Sequence, residues 1–344
     1  MQTLRRRLVT IPCVLVFAGL IVGLLPLWLV LSVLVDVVRW VRSRIPFALT
    51  RLVLFGAVYL LGEVIGVLAL FLAWLFGGFG SPGRARLVAR TYVIQRTWVA
   101  VMLGTVRRLY RMRVELLGED ALGPPPGGPV IALMQHTSLV DTLLPTTYLT
   151  ARRGLKLRWV LKKELLVDPC LDIAGQRLNN AFVGRDGSET ERALAQVRAL
   201  ATDLPPDEGV LIYPEGTRFT PGKRARALAS MATSAPGFLA RGEALRRVLP
   251  PRLGGPLALL ETAREADVVF IGHIGFEGLS SLGSVLSGAL VGRVVQLRFW
   301  RFPRREVPTS RTELVAWLWA RWEELDLWVD GEARSREAAE GRAQ

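Results

Sequence analysis

Cysteine, histidine and lysine are all scarce in this chain. Cysteine occurs twice in 344 residues, at Cys13 and Cys170. The first lies in an apolar run and the second in a polar stretch, so no disulfide joins them on this reading. The count fits a reducing compartment. Histidine also occurs twice, at His136 and His273. With so few soft ligands no metal-binding spacing forms, and no metal site is expected. Lysine stands only at positions 156, 162, 163 and 223, so the formal charge of +14 is carried mostly by arginine. There is no RNP, helix-turn-helix or zinc-finger pattern to direct that charge to nucleic acid. There is no Gly-x-Ser-x-Gly elbow, which argues against a serine hydrolase. No internal repeat is present.

Long hydrophobic runs are what the N-terminal quarter does have. Residues 11–38 form one, broken by Pro26 and ended by Asp36 and Arg39; residues 52–79 form a second, with Glu63 near its middle. Each exceeds the roughly 20 residues that cross a bilayer. Arg5, Arg6 and Arg7 would suit a signal peptide, but the apolar core is too long and no small-residue cleavage site follows, so an uncleaved anchor is expected. Two arrangements suit the runs. Two spans follow from their length, but place the Arg39–Arg51 cluster outside, against the positive-inside tendency. Two re-entrant hairpins, turning at Pro26 and near Gly62-Glu63, keep every arginine cluster cytoplasmic. Length favours the spans, and a buried Glu63 in a hairpin would need a partner. The arginine excess points to an anionic membrane surface as partner, with the rest of the chain facing the cytoplasm, at the inner membrane if the chain is bacterial.

The remainder has the composition of a soluble protein. Residues 1–83 read as membrane-anchoring helices or hairpins, 84–113 as a basic amphipathic helix, 114–329 as the main domain and 330–344 as a frayed polar tail. The 84–113 helix either lies at the interface or packs on the domain. A short strand at 114–117 and a Gly/Pro-rich loop at 118–129 precede the alternating part. Strands are expected at 130–134, 157–161, 181–183, 210–213, 268–274 and 294–299. Helices are expected at 139–149, 163–178, 188–204, 256–266 and 311–328, the last opened by the capping box Ser310-x-x-Glu313. This alternation predicts an α/β fold with a mixed, mostly parallel sheet flanked by helices. Four tryptophans, at 317, 319, 322 and 328, share the last helix with acidic residues, which favours core packing over contact with anionic lipid.

Chemistry concentrates in Gln135-His136-Thr137-Ser138-Leu139-Val140-Asp141. An imidazole titrates near neutrality and can take a proton from an alcohol. A carboxylate on its other nitrogen fixes the tautomer and steadies the imidazolium. His136 follows a strand and Asp141 opens the next helix, at the carboxyl end of the sheet where such folds bind ligands. A helix-capping histidine is the alternative from spacing alone. His273 lies within a strand, with no carboxylate close in sequence except Glu277, and reads as a strand residue rather than a base. A second block, Glu215-Gly216-Thr217-Arg218, follows the strand at 210–213. A glycine turn carrying an arginine can cradle an anion through the guanidinium fork.

Further blocks join these two in order: Lys162-Lys163-Glu164-Leu165, Phe182-Val183-Gly184-Arg185, and Leu249-Pro250-Pro251-Arg252. Over about residues 114–302 this set resembles the glycerophospholipid acyltransferase family, which acylates lysophosphatidic acid and other lysophospholipids. The resemblance implies an α/β acyltransferase fold tethered by N-terminal helices. It makes His136 the base and Asp141 its partner. It places Arg185 and Arg218 on the acceptor phosphate, with Glu215, Gly216 and Thr217 shaping the loop. It implies acyl-CoA or acyl-carrier protein as donor, a lysophospholipid as acceptor, no acyl-enzyme and no bound cofactor. Three departures bear on the acceptor. Gln135 stands where asparagine or arginine is usual, and Gly184 where a polar residue is usual. Leu-Pro-Pro-Arg followed by Leu-Gly-Gly is closer to the branch containing lysocardiolipin and lysophosphatidylglycerol acyltransferases. A different lysolipid head group, and a protein that only binds lipid, are the alternatives. The oligomeric state is left open.

Overall fold

The computed structural model describes residues 2–77, 80–123, 128–184 and 190–343. Four helices come first: α1 (Gln2–Gly23), α2 (Leu25–Ser43), α3 (Ala48–Leu75) and α4 (Gly80–Leu109). The α/β part follows as β1 (Arg113–Leu117), β2 (Val130–Met134), β3 (Lys156–Lys162), α5 (Pro169–Arg177), β4 (Ala181–Val183), α6 (Thr190–Ala201) and β5 (Glu208–Ile212). It continues as α7 (Pro221–Ser234), α8 (Leu239–Ala244), α9 (Gly254–Thr262), β6 (Asp267–Ile274), α10 (Leu282–Leu286), β7 (Val294–Phe302) and α11 (Arg311–Ala343).

The seven strands form one sheet in the order β1-β7-β6-β2-β5-β3-β4. Every described pairing is parallel except β6 with β7. The mixed, mostly parallel sheet expected from the alternation is therefore present. Strand β2 lies at its centre and is wholly buried. Its side chains alternate between two cores, as a two-residue period requires. Ile131 and Leu133 enter the core shared with α6, α9 and α11, whereas Val130, Ala132 and Met134 enter the core shared with α4 and Tyr148.

The first apolar run is one nearly continuous helical column. Leu24 N–H donates to Leu20 O at 3.2 Å and Trp28 N–H to Leu24 O at 3.0 Å, so helical bonding passes through the break. Pro26 lies in the first turn of α2, where its missing N–H costs little, and is not a hairpin tip. Asp36 ends the run by reaching across to cap α3, accepting from the N–H groups of Leu49 (3.2 Å) and Thr50 (2.8 Å). Helix α3 continues unbroken past Gly62-Glu63, so neither re-entrant turn is present. Thr3–Gly23 and Ala48–Leu75 are long and apolar enough to cross a membrane.

The middle of α3 is polar because it meets α5. Tyr59 donates to Asp168 Oδ2 at 2.7 Å, and Cys170 N–H donates to Glu63 Oε2 at 3.3 Å. Asp168 also caps α5 through Leu171 N–H at 2.7 Å. Arg6 forks onto both oxygens of Asp172 at 2.8 and 3.1 Å, and Arg7 Nε reaches Oδ2 at 3.1 Å. Asp172 has no solvent exposure, so these guanidiniums neutralise a charge that burial alone would make costly.

Helix α4 buries Tyr92, Val99, Met102, Leu103 and Val106, which favours the packed reading of the basic 84–113 segment. The predicted helix at 139–149 begins as a tight turn over Asp141–Leu143 and widens over Thr146–Ala151. Helices α7 and α8 had no counterpart in the sequence reading; α7 buries none of its residues, so it carries no core-facing stripe. The tail beyond residue 329 also differs from expectation. It continues α11 to Ala343, consistent with its alanine, glutamate and arginine content. Trp319 and Trp322 are core residues, as expected, with Trp317 and Trp328 packed against the same cluster.

Helix α11 also holds the segment 246–249 in place. Asp326 is buried and accepts from the N–H groups of Arg246, Arg247 and Val248 at 2.7–3.1 Å. Trp322 Nε1–H donates to Leu249 O at 3.0 Å. Asp326→Ala leaves three amides without their acceptor. A loss of about 3 kcal/mol or more is expected, read as a lower unfolding midpoint in detergent by circular dichroism.

Candidate active site

Strands β2 and β5 are parallel neighbours, with Leu133 opposite Ile212, so both end at the same edge of the sheet. That register brings residues 79 positions apart into contact. The His136 N–H donates to Glu215 Oε1 at 2.7 Å, and Phe219 N–H donates back to His136 O at 2.9 Å. The two sequence blocks therefore form one site.

His136 and Asp141 meet as their spacing suggested. The imidazole Nδ1 lies 3.0 Å from Asp141 Oδ1 and 3.2 Å from Oδ2. Asp141 has no solvent exposure, and its Oδ2 also accepts from the N–H groups of Thr137 (2.7 Å) and Ser138 (2.8 Å). The chain between the two residues thus wraps around the carboxylate. Burial would raise the Asp141 pKa, but the charge and hydrogen bond of His136, with a smaller contribution from His273, outweigh it. The carboxyl is held well below the usual range. An ionised partner on Nδ1 selects the tautomer with its proton there. The other ring nitrogen, Nε2, is then the basic one. The His136 side chain is 12% exposed, enough to meet a ligand without being solvated freely.

Tyr213 covers the imidazole, with ring centroids 4.5 Å apart and planes tilted by 34°. Burial, then the Asp141 charge, pushes the Tyr213 phenol up, so it stays neutral. Its place directly after β5 was the only sequence signal for this role.

Glu215 is a bracket between loops. Its Oε1 takes the His136 N–H and its Oε2 takes the Leu249 N–H at 3.0 Å. Burial pushes its pKa up to about 8, partly opposed by those two N–H donors and assisted by the charges of Asp141 and Asp326. Gly216 follows at φ +63°, where a side chain is strained, and a Cβ there would lie 3.2 Å from Arg252 Cδ. Arg252 N–H is tied to Pro214 O at 2.8 Å, so the fourth motif closes over the second block. Thr217 and Arg218 are half-buried. Arg218 Nη1 is buried and finds no hydrogen-bond partner among the described residues, leaving a charged donor at the site. Arg185 lies outside the described residues; the strand before it, β4, ends at the same edge of the sheet as β2 and β5.

His273 is the residue that sequence reasoning underrated. It is a strand residue of β6, as expected, yet its Nε2 lies 3.4 Å from Asp141 Oδ2. The signal was spatial: β6 pairs with β2 in register Met134–Ile271, which carries His273 beside the loop that starts at Gln135.

Two pH effects of opposite sign follow. Asp141 has a depressed pKa, so its contribution to stability is present at neutral pH and lost in acid. Glu215 has a raised one, so the folded state keeps a proton that the unfolded chain releases above its ordinary value of 4.5. That contribution is full below 4.5 and fades as pH climbs toward about 8. Glu215→Gln cannot titrate, and it offers one acceptor for two N–H groups. It is expected to be less stable than the parent at pH 5 by about 2 kcal/mol, with the gap narrowing by pH 8. Unfolding midpoints measured across that range check both parts.

Residues 113–252 match the family model described as Acyltransferase. Lysocardiolipin acyltransferase 1 of Gallus gallus is 24% identical over 280 residues, covering 79% of this chain and 68% of that protein. The Mus musculus protein of the same name is 25% identical over 284 residues, covering 79% and 68%. Among solved structures, the 1-acyl-sn-glycerophosphate (LPA) acyltransferase PlsC from Thermotoga maritima shares the fold. It has a TM-score of 0.52 and 15% identity over 81% of this chain and 95% of that one. The His136 and Glu215 blocks, joined at one sheet edge, lie within the matched segment, so residues 113–252 are similar to an acyltransferase domain, and the chain as a whole is similar to glycerophospholipid O-acyltransferases.

Proposed function

We propose that this protein is membrane-bound and moves a fatty acyl group from an acyl thioester to the free hydroxyl of a lysophospholipid, lysophosphatidic acid in the first instance. The observation that carries this reading is the His136–Asp141 pair, with Arg218, whose buried Nη1 finds no partner among the described residues, one residue before the Phe219 N–H that holds His136 O at 2.9 Å. His136 Nε2 takes the proton of the acceptor hydroxyl as its oxygen attacks the thioester carbonyl. Asp141 steadies the imidazolium that results. Collapse of the tetrahedral intermediate expels the donor thiolate, which takes the proton back from His136. The donor is acyl-CoA or acyl-carrier protein.

Arg218 holds the acceptor phosphate, joined by Arg185, and Glu215, Gly216 and Thr217 keep their loop in shape. Placing the phosphate fixes the hydroxyl near His136, an effect that can supply several powers of ten in rate. The apolar helices α1 and α3 hold the domain where both substrates reside, with the catalytic part facing the cytoplasm. A lysocardiolipin-type acceptor is the second reading. It is favoured by the names of the two curated relatives.

Purified protein in mixed micelles, given acyl-CoA or acyl-carrier protein and a panel of lysophospholipids, is expected to acylate an anionic lysolipid. His136→Ala should lose about three orders of magnitude or more. Arg218→Ala should raise KM for the acceptor more than it lowers kcat. No product with either donor, or an active His136→Ala protein, would overturn the reading.

A further inference from the structure

The Asp141 carboxylate has two imidazoles beside it, and only one belongs to the base. His273 is completely buried. Its backbone N–H donates to Gln135 Oε1 at 3.1 Å, while Gln135 N–H donates to Ile271 O at 3.0 Å. The loop that carries His136 is thus stitched to β6 by both the backbone and the side chain of Gln135. This is the position at which the sequence departs from the family's usual asparagine or arginine. Phe276 packs edge-on against the His273 ring, with centroids 5.3 Å apart and planes at 74°. That contact restrains the ring while Nε2 stays 3.4 Å from Asp141 Oδ2.

An imidazole here is not what packing alone would select. Neither ring nitrogen has a well-aligned hydrogen bond among the described residues, and a buried polar group without one is unfavourable. Leucine or phenylalanine would fill a buried strand position without that cost. What histidine adds is a donor facing Oδ2, the same oxygen that accepts from Thr137 and Ser138. With Oδ2 occupied from three directions, Oδ1 is left turned to His136 Nδ1.

We propose that His273 is a positioning residue, which holds Asp141 from its Oδ2 side and, with Gln135, fixes the catalytic loop on β6. This rests on His136 being the base. His273 touches neither substrate nor reacting atoms; it acts through Asp141. A glutamine in its place retains a donor, whereas a leucine retains only the volume.

The test compares wild type, His273→Gln and His273→Leu as full-length protein in mixed micelles. Lysophosphatidic acid and acyl-CoA are the substrates. His273→Leu should lower kcat about tenfold, the loss expected when one polar contact that steadies the Asp141 carboxylate is removed, with both KM values within about twofold of wild type. His273→Gln should recover most of that loss. A second readout needs no activity. With only two histidines in the chain, ring-15N labelling leaves His136 as the sole signal in either variant. The downfield Nδ1–H resonance of His136 should persist in His273→Gln and exchange away in His273→Leu. Should His273→Leu fail to fold, Gln135→Met serves instead and should show the same split between kcat and KM. Wild-type kcat and an intact resonance in His273→Leu would overturn the proposal. So would equal losses in the two His273 variants that follow unfolding temperature. Failure of the transferase reading is distinguishable, because wild type would then give no product while its resonance still reported on Asp141.

Discussion

A buried carboxylate with no exposure is the constraint on which the site depends. Asp141 can stay ionised only because the chain supplies it with donors: two backbone N–H groups, the His136 ring and the nearby His273 ring. Satisfying that charge forces residues 135–141 to wrap around it. The wrap aims Nδ1 of His136 at the carboxylate and leaves Nε2 free for the proton transfer proposed above. The orientation of the proposed base is thus a consequence of satisfying one buried charge from within the chain.

A second buried acidic side chain, Glu215, extends this control across the fold. Glu215 joins the loop after β2 to the segment at Leu249, and that segment hangs from α11 through Trp322 and Asp326. Rigid parts in both cores therefore set the position of His136. At the other side, Arg6 and Arg7 of α1 close on Asp172, and Tyr59 and Glu63 of α3 meet the start of α5. The apolar N-terminal helices are thus part of the same packed body, in keeping with the membrane-bound reading proposed above.

Much of this was legible in the residues. Short apolar runs located every described strand of the sheet but said nothing of their order, which depends on pairings between distant segments. His136 and Asp141 were readable because a five-residue spacing is local. The contact of His273 with Asp141 was not, since it exists only once β6 pairs with β2. The contact of Glu63 was hidden for the same reason: the N–H of Cys170 in α5, more than a hundred positions away, reaches one of its oxygens at 3.3 Å. Pro26 kept a hairpin open as the alternative because a proline in the first turn of a helix and a proline at a tip look alike in sequence. The tail beyond residue 329 looked frayed by its polarity, although its residues are good helix formers extending a helix already anchored by tryptophans.

The central claim is that His136, held by Asp141, transfers a proton in one direct acyl transfer. Single-turnover mixing of enzyme with radiolabelled acyl-CoA and lysophosphatidic acid tests it most directly, with Asp141→Asn alongside wild type. The account predicts that label passes to lipid in one phase without appearing on protein. It also predicts that Asp141→Asn slows this phase by about four orders of magnitude, as expected when the wrong tautomer faces the hydroxyl. Label accumulating on the protein before product, or an Asp141→Asn phase as fast as wild type, would contradict it.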